Sequence, residues 1–157
     1  MPKFQNVRKK TARIPIIFFK IGIDKILGNR IAMITHMGRN SGKKRFTVLE
    51  VIRLNRSCKK YVFYSGWGHN SDWAKNIRKN PHILLSISGK RLTGKMNQLS
   101  SNEARNEFLQ YSLSHPLAFK IVTKFLLPKN YQNEKLNDQL NSMSIKLPCY
   151  IFKSNIN

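Results

Sequence analysis

The segment from Thr47 to Leu54 constrains the fold most, because it alternates like a strand and is largely apolar on both faces. A strand that is apolar on both sides fits a barrel whose outside is covered by helices or by a second subunit. Glu50 is the exception, because a carboxylate in mid-strand needs a cationic or hydrogen-bonding partner. The apolar residues of one face are Val48, Ile52 and Leu54, and those of the other are Leu49 and Val51.

The surrounding pattern predicts further short strands, at 31–36, 60–65, 83–88, 91–99 and 146–153. Helices are predicted at 14–27, at 71–80 with Ser71 as the N-cap, at a capping box that starts at Ser100, and after Pro116. Gly89-Lys90 should form a type II′ hairpin turn, and 129–144 should be a loop or a weak helix. This order predicts a mainly β protein with peripheral helices, of the α+β class, built as a small, partly open barrel.

The charge of the chain points to an anionic partner. There are 29 Lys and Arg residues against 7 Asp and Glu, which gives a formal net charge of +22. Such a field attracts any polyanion, so nucleic acid, an anionic membrane surface and a phosphorylated cofactor all come into consideration. Residues 1–13 carry five cations and no acid and are predicted to form a basic arm, followed by a single domain at 14–157.

The cysteines and the hydropathy pattern indicate a cytoplasmic protein. Cys58 and Cys149 belong to no Cys-x-x-Cys or Cys/His pattern, so we expect reduced thiols and no metal site. The apolar run from Ile14 to Phe19 is far shorter than the ~20 residues that span a bilayer. The helix at 14–27 is expected to pack on the domain, with attachment to a membrane surface as the secondary interpretation.

The loop from Gly38 to Arg45, here called the clamp loop, reads Gly-Arg-Asn-Ser-Gly-Lys-Lys-Arg between two strand-like runs. Its glycines would let backbone amides turn toward an anion. Arg39, Lys43 and Arg45 would add charge-assisted hydrogen bonds, so the loop fits a phosphate clamp. Taken alone, the same eight residues also fit a basic hairpin turn in a cationic chain.

Other short motifs follow the clamp loop in a distinctive order. They are Leu49-Glu50-Val51, the Ser65-Gly66 turn, Ser71-Asp72-Trp73 with Asn76, and Asn80-Pro81. This ordered set resembles the deazaflavin-dependent nitroreductase family of split-barrel flavin and deazaflavin oxidoreductases, over about residues 28 to 127. The resemblance implies a split β-barrel of the flavin-reductase and FMN-binding type, often a homodimer.

The resemblance also implies an activity and a set of site residues. The chain would transfer hydride from reduced 8-hydroxy-5-deazaflavin coenzyme F(420) to a small quinone- or nitroaromatic-like acceptor, with FMN, in its reduced form, as the alternative cofactor. Because the cofactor ring carries the chemistry, no catalytic triad is needed. By resemblance, the phosphate tail would contact Arg39, Ser41, Gly42, Lys43 and Arg45, the ring would contact Val48, Leu49, Ser65, Gly66 and Trp67, and the pocket would be closed by Ser71, Trp73 and Asn76.

Alternatives remain at the level of the sequence. A basic surface alone can bind nucleic acid weakly and without sequence preference, and the same fold could be a non-catalytic nucleic-acid- or membrane-surface-binding protein. Trp73 fits core packing as well as cofactor contact. Among the four histidines we single out His69, next to the Gly66–Gly68 turn, as a candidate proton donor, and no other catalytic residue is predicted.

Overall fold

The structure is a computed structural model that describes residues 28–55, 60–132 and 134–155. The strands in chain order are β1 (Ile31–Met37), β2 (Lys44–Asn55), β3 (Lys60–Tyr64), β4 (His82–Ile87), β5 (Lys90–Gln98) and β6 (Cys149–Ser154). The helices are α1 (Asp72–Lys79), α2 (Ser101–Ser114), α3 (Pro116–Leu126), α4 (Lys129–Gln132) and α5 (Leu136–Lys146). Two 3₁₀ turns, Gly28–Arg30 and Gly68–Asn70, complete the described chain.

The six strands form one barrel in the order β1-β2-β3-β6-β5-β4. Every neighbouring pair is antiparallel, and β4 returns to β1 to complete the ring. The joining ladder is short, with three residue pairs from Met33↔Ser86 to Thr35↔Leu84. The predicted mainly β barrel with peripheral helices is therefore confirmed, but the barrel is closed rather than partly open, because β1 uses both of its edges.

The protein has two hydrophobic cores, one on each side of the barrel wall. The inner core contains Leu49 and Val51 from β2, and α1 packs Trp73 and Ile77 into it. The outer core lies under α2, α3 and α5 and includes Ile52. This arrangement explains why β2 is apolar on both faces, and it confirms the prediction of a barrel strand covered by helices.

Glu50 has the partners that its position in mid-strand requires. Its carboxylate accepts hydrogen bonds from Arg30 Nη2 at 2.9 Å, Tyr64 OH at 3.2 Å and Tyr111 OH at 2.7 Å. These donors come from the 3₁₀ turn, β3 and α2, so one acid joins three elements to β2. Burial and the neighbouring carboxylate raise the pKa of both tyrosines, which therefore remain neutral donors.

Several local predictions need correction. The β4–β5 turn has Ser88 and Gly89 at its centre, with φ of 47° and 73°, so it is type I′ rather than II′ and lies one residue earlier. Residues 129–144 are largely helical, as α4 and most of α5, which confirms the helical alternative of that prediction; the last strand begins at Cys149 instead of 146. Ser71 occupies the N-cap of α1 but makes no capping hydrogen bond with its side chain.

Other predictions concern residues that the structure does not describe. The basic arm at 1–13, the helix at 14–27 and Cys58 fall outside the described ranges.

The capping box at Ser100 and Glu103 is present as predicted, with both reciprocal hydrogen bonds. Within the described ranges, no helix has the length and apolar character needed to cross a lipid bilayer.

Candidate functional site

The clamp loop forms a tight turn between β1 and β2. Gly38 N donates to Lys43 O at 2.9 Å, and Gly42 N donates to Gly38 O at 2.8 Å. Gly42 adopts φ +62°, a left-handed conformation in which other L-residues are strained. Because these amides and that of Arg39 already have acceptors inside the protein, they do not form the predicted anion nest. These three amides are therefore not available to an anion, whereas the side chains of Lys43 and Arg45 are exposed.

Asn76 on α1 holds the clamp loop against the end of the barrel. Its Oδ1 accepts from the backbone N of Arg39 and from Arg39 Nη1, both at 3.0 Å. Arg39 Nη2 also forms an ion pair with Asp72 at 3.0 Å. Arg39 is therefore engaged in fixing the loop to α1, rather than extending alone into solvent.

His36 continues this network and was missed at the level of the sequence. Asn76 Oδ1 is occupied by Arg39, so Asn76 Nδ2 faces His36 Nδ1, at 3.3 Å. The acceptor role of Nδ1 leaves the proton on Nε2, which lies 3.2 Å from Thr47 Oγ1. Burial, aided by the charge of Arg45, lowers the pKa of His36 to about 4, so the ring is neutral near pH 7. Only the alternation of β1, which places His36 on the same face as Ile34, could have indicated its burial.

A pocket of about 510 Å³ lies between the clamp loop and α1. Five predicted site residues line it, together with six residues that were not predicted to be site residues. The predicted ones are Arg39, Ser41, Arg45, Trp73 and Asn76; the others are His36, Gly38, Asn40, Phe46, Thr47 and Asp72. Lys43 and Gly42 lie in the same loop without lining the pocket.

At the pocket wall, Arg45 Nη2 makes a long contact of 3.4 Å with Ser41 Oγ. Lys43 and Arg45 are both exposed. Trp73 is buried, packs edge-on against Tyr150 with ring centroids 4.8 Å apart, and also lines the pocket. Trp73 is therefore both a core residue and part of the pocket lining, so the two interpretations are compatible.

A second group of predicted residues lies elsewhere. Ser65 and Ser71 are buried, and their hydroxyl oxygens lie at the hydrogen-bonding distance of 2.6 Å. Ser65 Oγ also lies 2.8 Å from Gly68 O, which can accept a hydrogen bond from it. Trp67, in the same turn, is exposed. These residues hold the turn between β3 and α1 and do not line the 510 Å³ pocket.

The remaining predicted residues are also outside the pocket. Leu49 belongs to the inner core, and Val48 is half-buried on the opposite face of β2. His69 is exposed, and its Nε2 lies 3.0 Å from the carbonyl oxygen of Ile145. The structure thus brings the clamp residues together with Trp73 and Asn76, whereas the predicted ring contacts are spread over the barrel and the β3–α1 turn.

Comparison with known proteins places this chain in a family. A model of the F420H(2)-dependent quinone reductase family matches residues 6–119. No match was found among curated protein sequences. An F420-H2 dependent reductase, FDR-A, superimposes with a TM-score of 0.54 at 19% identity over 80% of this chain and 96% of that one. A chain described as a domain-swapped dimer superimposes with a TM-score of 0.55 at 20% identity, covering 96% and 99% of the two chains.

A more distant neighbour carries the same fold. It is a pyridoxamine 5′-phosphate oxidase-related, FMN-binding protein from Nostoc punctiforme, with a TM-score of 0.52 at 12% identity, covering 90% of this chain and 80% of that one. These similarities confirm the FMN-binding type of split barrel. Since the family match covers most of the chain and the clamp loop lies within it, the protein is an oxidoreductase belonging to the F420H(2)-dependent quinone reductase family, whose cofactor is reduced coenzyme F(420).

Proposed function

We propose that this protein binds reduced coenzyme F(420) at the pocket beside the clamp loop and reduces a small quinone- or nitroaromatic-like acceptor by hydride transfer. The observation that carries the proposal is the cationic loop, held over the pocket by Asn76 through two hydrogen bonds of 3.0 Å to Arg39. When bound, the cofactor supplies the hydride. The protein residues bind the cofactor, orient it and keep the clamp loop in place.

The residues of the pocket fit an anionic cofactor tail. Arg45 offers a planar guanidinium at the pocket wall, and Lys43 and Lys44 add exposed ammonium groups in the same loop. Arg39 keeps the loop in position, because its guanidinium already contacts Asp72 and Asn76. FMN is the alternative ligand, since the same cations would bind its phosphate.

His36 contributes a neutral, fixed ring to this site. Its low pKa means that it adds no positive charge near pH 7, so the charge that attracts the cofactor comes from the loop. Its hydrogen bonds to Asn76 and Thr47 link β1 and β2 to α1 at the pocket wall. We assign it a positioning role. The role of His69 as proton donor stays a prediction, and its contact with the Ile145 carbonyl gives no support for it.

The homodimer and the cytoplasmic location also stay proposals. The need to cover both faces of β2 no longer supports a dimer, because helices of the same chain cover its outer face. The remaining support is the similarity to a chain described as a domain-swapped dimer. Size-exclusion chromatography with light scattering would distinguish a monomer from a dimer.

Replacing Lys43 and Arg45 with Ala should weaken cofactor binding without destabilising the fold. Each lost charge-assisted hydrogen bond is worth roughly 1.5 to 3 kcal/mol, so the dissociation constant should rise about tenfold or more per residue. Removing two exposed, mutually repelling cations should leave the melting temperature unchanged or slightly higher. Fluorescence titration with coenzyme F(420) and with FMN, together with thermal unfolding, measures both effects.

The matched control is Lys90→Ala with Arg91→Ala, which removes the same charge from the exposed β4–β5 hairpin. This control should bind the cofactor as the parent does. If the clamp variant also binds both cofactors with the affinity of the parent, the loop is only a basic turn. If the control weakens binding equally, the effect comes from net charge and not from the clamp loop.

A further inference from the structure

Helix α3 is apolar on both of its faces. Phe119 and Val122 are buried in the outer core, as expected for a helix that packs on the barrel. Leu117, Ile121 and Phe125, one helical turn apart, lie on the solvent side and are 79%, 57% and 76% exposed. A row of large, exposed apolar side chains on one face of a helix is typical of an interaction surface, so the outer face of α3 indicates an additional partner.

Neighbouring elements extend this face into a larger surface. Leu113 lies in the last turn of α2, shortly before α3 begins, and is 67% exposed. The β3–α1 turn adjoins the C-terminal end of α3, because a Cβ on Gly66 would lie 3.4 Å from Leu126 Cδ1. Trp67 in that turn is 70% exposed.

The same turn also adjoins the end of α5. His69 contacts the carbonyl of Ile145, whose side chain is itself exposed. Six of the eight exposed large hydrophobic side chains in the described ranges therefore lie on α3, in the last turn of α2, in the β3–α1 turn or at the C-terminal end of α5. We call them the apolar patch, which consists of Trp67, Leu113, Leu117, Ile121, Phe125 and Ile145.

The charge around the apolar patch has a single sign. Lys120 and Lys124 on α3 and Lys129 just beyond it are all exposed. The sequence has no Asp or Glu between Glu107 and Glu134, a stretch that contains the whole of α3. Large apolar side chains flanked by lysines are complementary to the surface of an anionic lipid bilayer. The acyl chains below that surface are apolar, and the headgroups carry negative charge.

We propose that the apolar patch docks this protein peripherally onto an anionic lipid bilayer. Leu117, Ile121 and Phe125 would enter the boundary between headgroups and acyl chains, with Lys120 and Lys124 beside the lipid phosphates. Trp67 suits this depth, because its ring is apolar and its N–H is polar. Binding of the apolar patch to lipid requires neither the cofactor nor the acceptor, so this proposal does not depend on the proposed activity.

A second copy of the chain fits this surface less well than lipid does. A symmetric contact between two apolar patches would bring the lysines of both copies together, and like charges in an interface oppose association. The segment at 14–27 carries Lys20 and Lys25 against one acid, Asp24, so it also lacks the negative charge that would complement the patch. Anionic lipid supplies that charge.

Vesicle flotation of the full chain tests the proposal. The probes are vesicles of phosphatidylcholine alone and of phosphatidylcholine mixed with phosphatidylglycerol. We expect binding to the mixed vesicles, with a blue shift in the emission of Trp67, since the other tryptophan, Trp73, is already buried. Replacing Ile121 and Phe125 together with Ser should reduce partitioning about a hundredfold, because each loses the burial of a large apolar side chain.

Two further variants test whether binding depends on the lysines beside the apolar patch and on the apolar patch itself, rather than on any exposed apolar residue. Lys120→Gln with Lys124→Gln should weaken binding to the mixed vesicles about fivefold per lysine. Leu136→Ser removes an exposed leucine outside the apolar patch and should bind as the parent does. Thermal unfolding of each variant confirms that the fold is kept.

The proposal is overturned if the folded parent does not bind the mixed vesicles. It is equally overturned if the Ile121 and Phe125 variant binds them as the parent does, since the contact would then come from another basic segment. A third outcome assigns the patch to a second copy: the parent is a dimer in solution, the serine variant is a monomer, and neither binds lipid.

Discussion

Acid should destabilise this protein through His36, whose ring is buried between Asn76 and Thr47. The unfolded chain takes up a proton at the usual histidine pKa of 6.5, whereas burial in the folded protein lowers that pKa to about 4. Between these two values the unfolded state binds more protons than the folded state, so stability falls as pH falls. Above the window both states are neutral, and below it both are protonated, so the loss then stops.

The size of the loss in stability follows from the shift in the pKa of His36. A pKa difference of one unit corresponds to 1.36 kcal/mol, so lowering the pKa of His36 from 6.5 to about 4 should cost about 3 kcal/mol over the full window. The variant His36→Gln keeps one acceptor for Asn76 and one donor for Thr47 but cannot titrate. It should therefore lack this part of the acid sensitivity.

Urea unfolding of the parent and of His36→Gln, at several values between about pH 7 and about pH 4, measures the difference directly. The acids of the chain also titrate near the lower limit, but they do so in both proteins and cancel in the comparison. Near neutral pH the two stability curves should be parallel, and as pH falls the parent should lose about 3 kcal/mol more stability than His36→Gln does. Curves that stay parallel over the whole pH range, or a pKa near 6.5 for His36 by NMR in the folded protein, would refute the reasoning.

Two further predictions concern the barrel itself. Glu50→Gln should lower the free energy of unfolding by about 2 kcal/mol, because three donors lose a charged acceptor; a change below about 0.5 kcal/mol in urea unfolding would contradict that role. Gly94→Ala should cost about 3 kcal/mol, because the added Cβ would overlap Lys153 O and would lie 2.7 Å from the Phe152 ring. Gly42→Ala, which has open space but φ +62°, should cost only about 1 kcal/mol. Equal costs for the two glycine variants would show that packing around Gly94 is not the cause.

Much of the barrel was predictable because strand and helix periodicity are local properties. The alternation of β2 predicted apolar neighbours on both sides, and Glu50 in that strand predicted a cationic or hydrogen-bonding partner. The capping box at Ser100 depends on residues three apart and was found as predicted. The turn of the clamp loop likewise follows from Gly42, whose left-handed conformation is a local requirement.

The tertiary structure decided what depends on residues distant in the chain. The sequence predicted a helix after Pro116, but only packing on the outer core determined that Phe119 and Val122 are buried while Leu117, Ile121 and Phe125 are exposed. Because Ile87 pairs with Lys90, the turn between β4 and β5 consists of Ser88 and Gly89 and lies one residue earlier than predicted.

At the site, the sequence by itself determined a cationic loop of the right composition to hold a phosphate. Only the fold brought Asn76 to that loop and His36 to Asn76, across forty positions of the chain. The physical reason is that spacing along a strand or helix sets which residues share a face. Hydrogen bonds and burial between elements arise only when the barrel closes and α1 packs against its end.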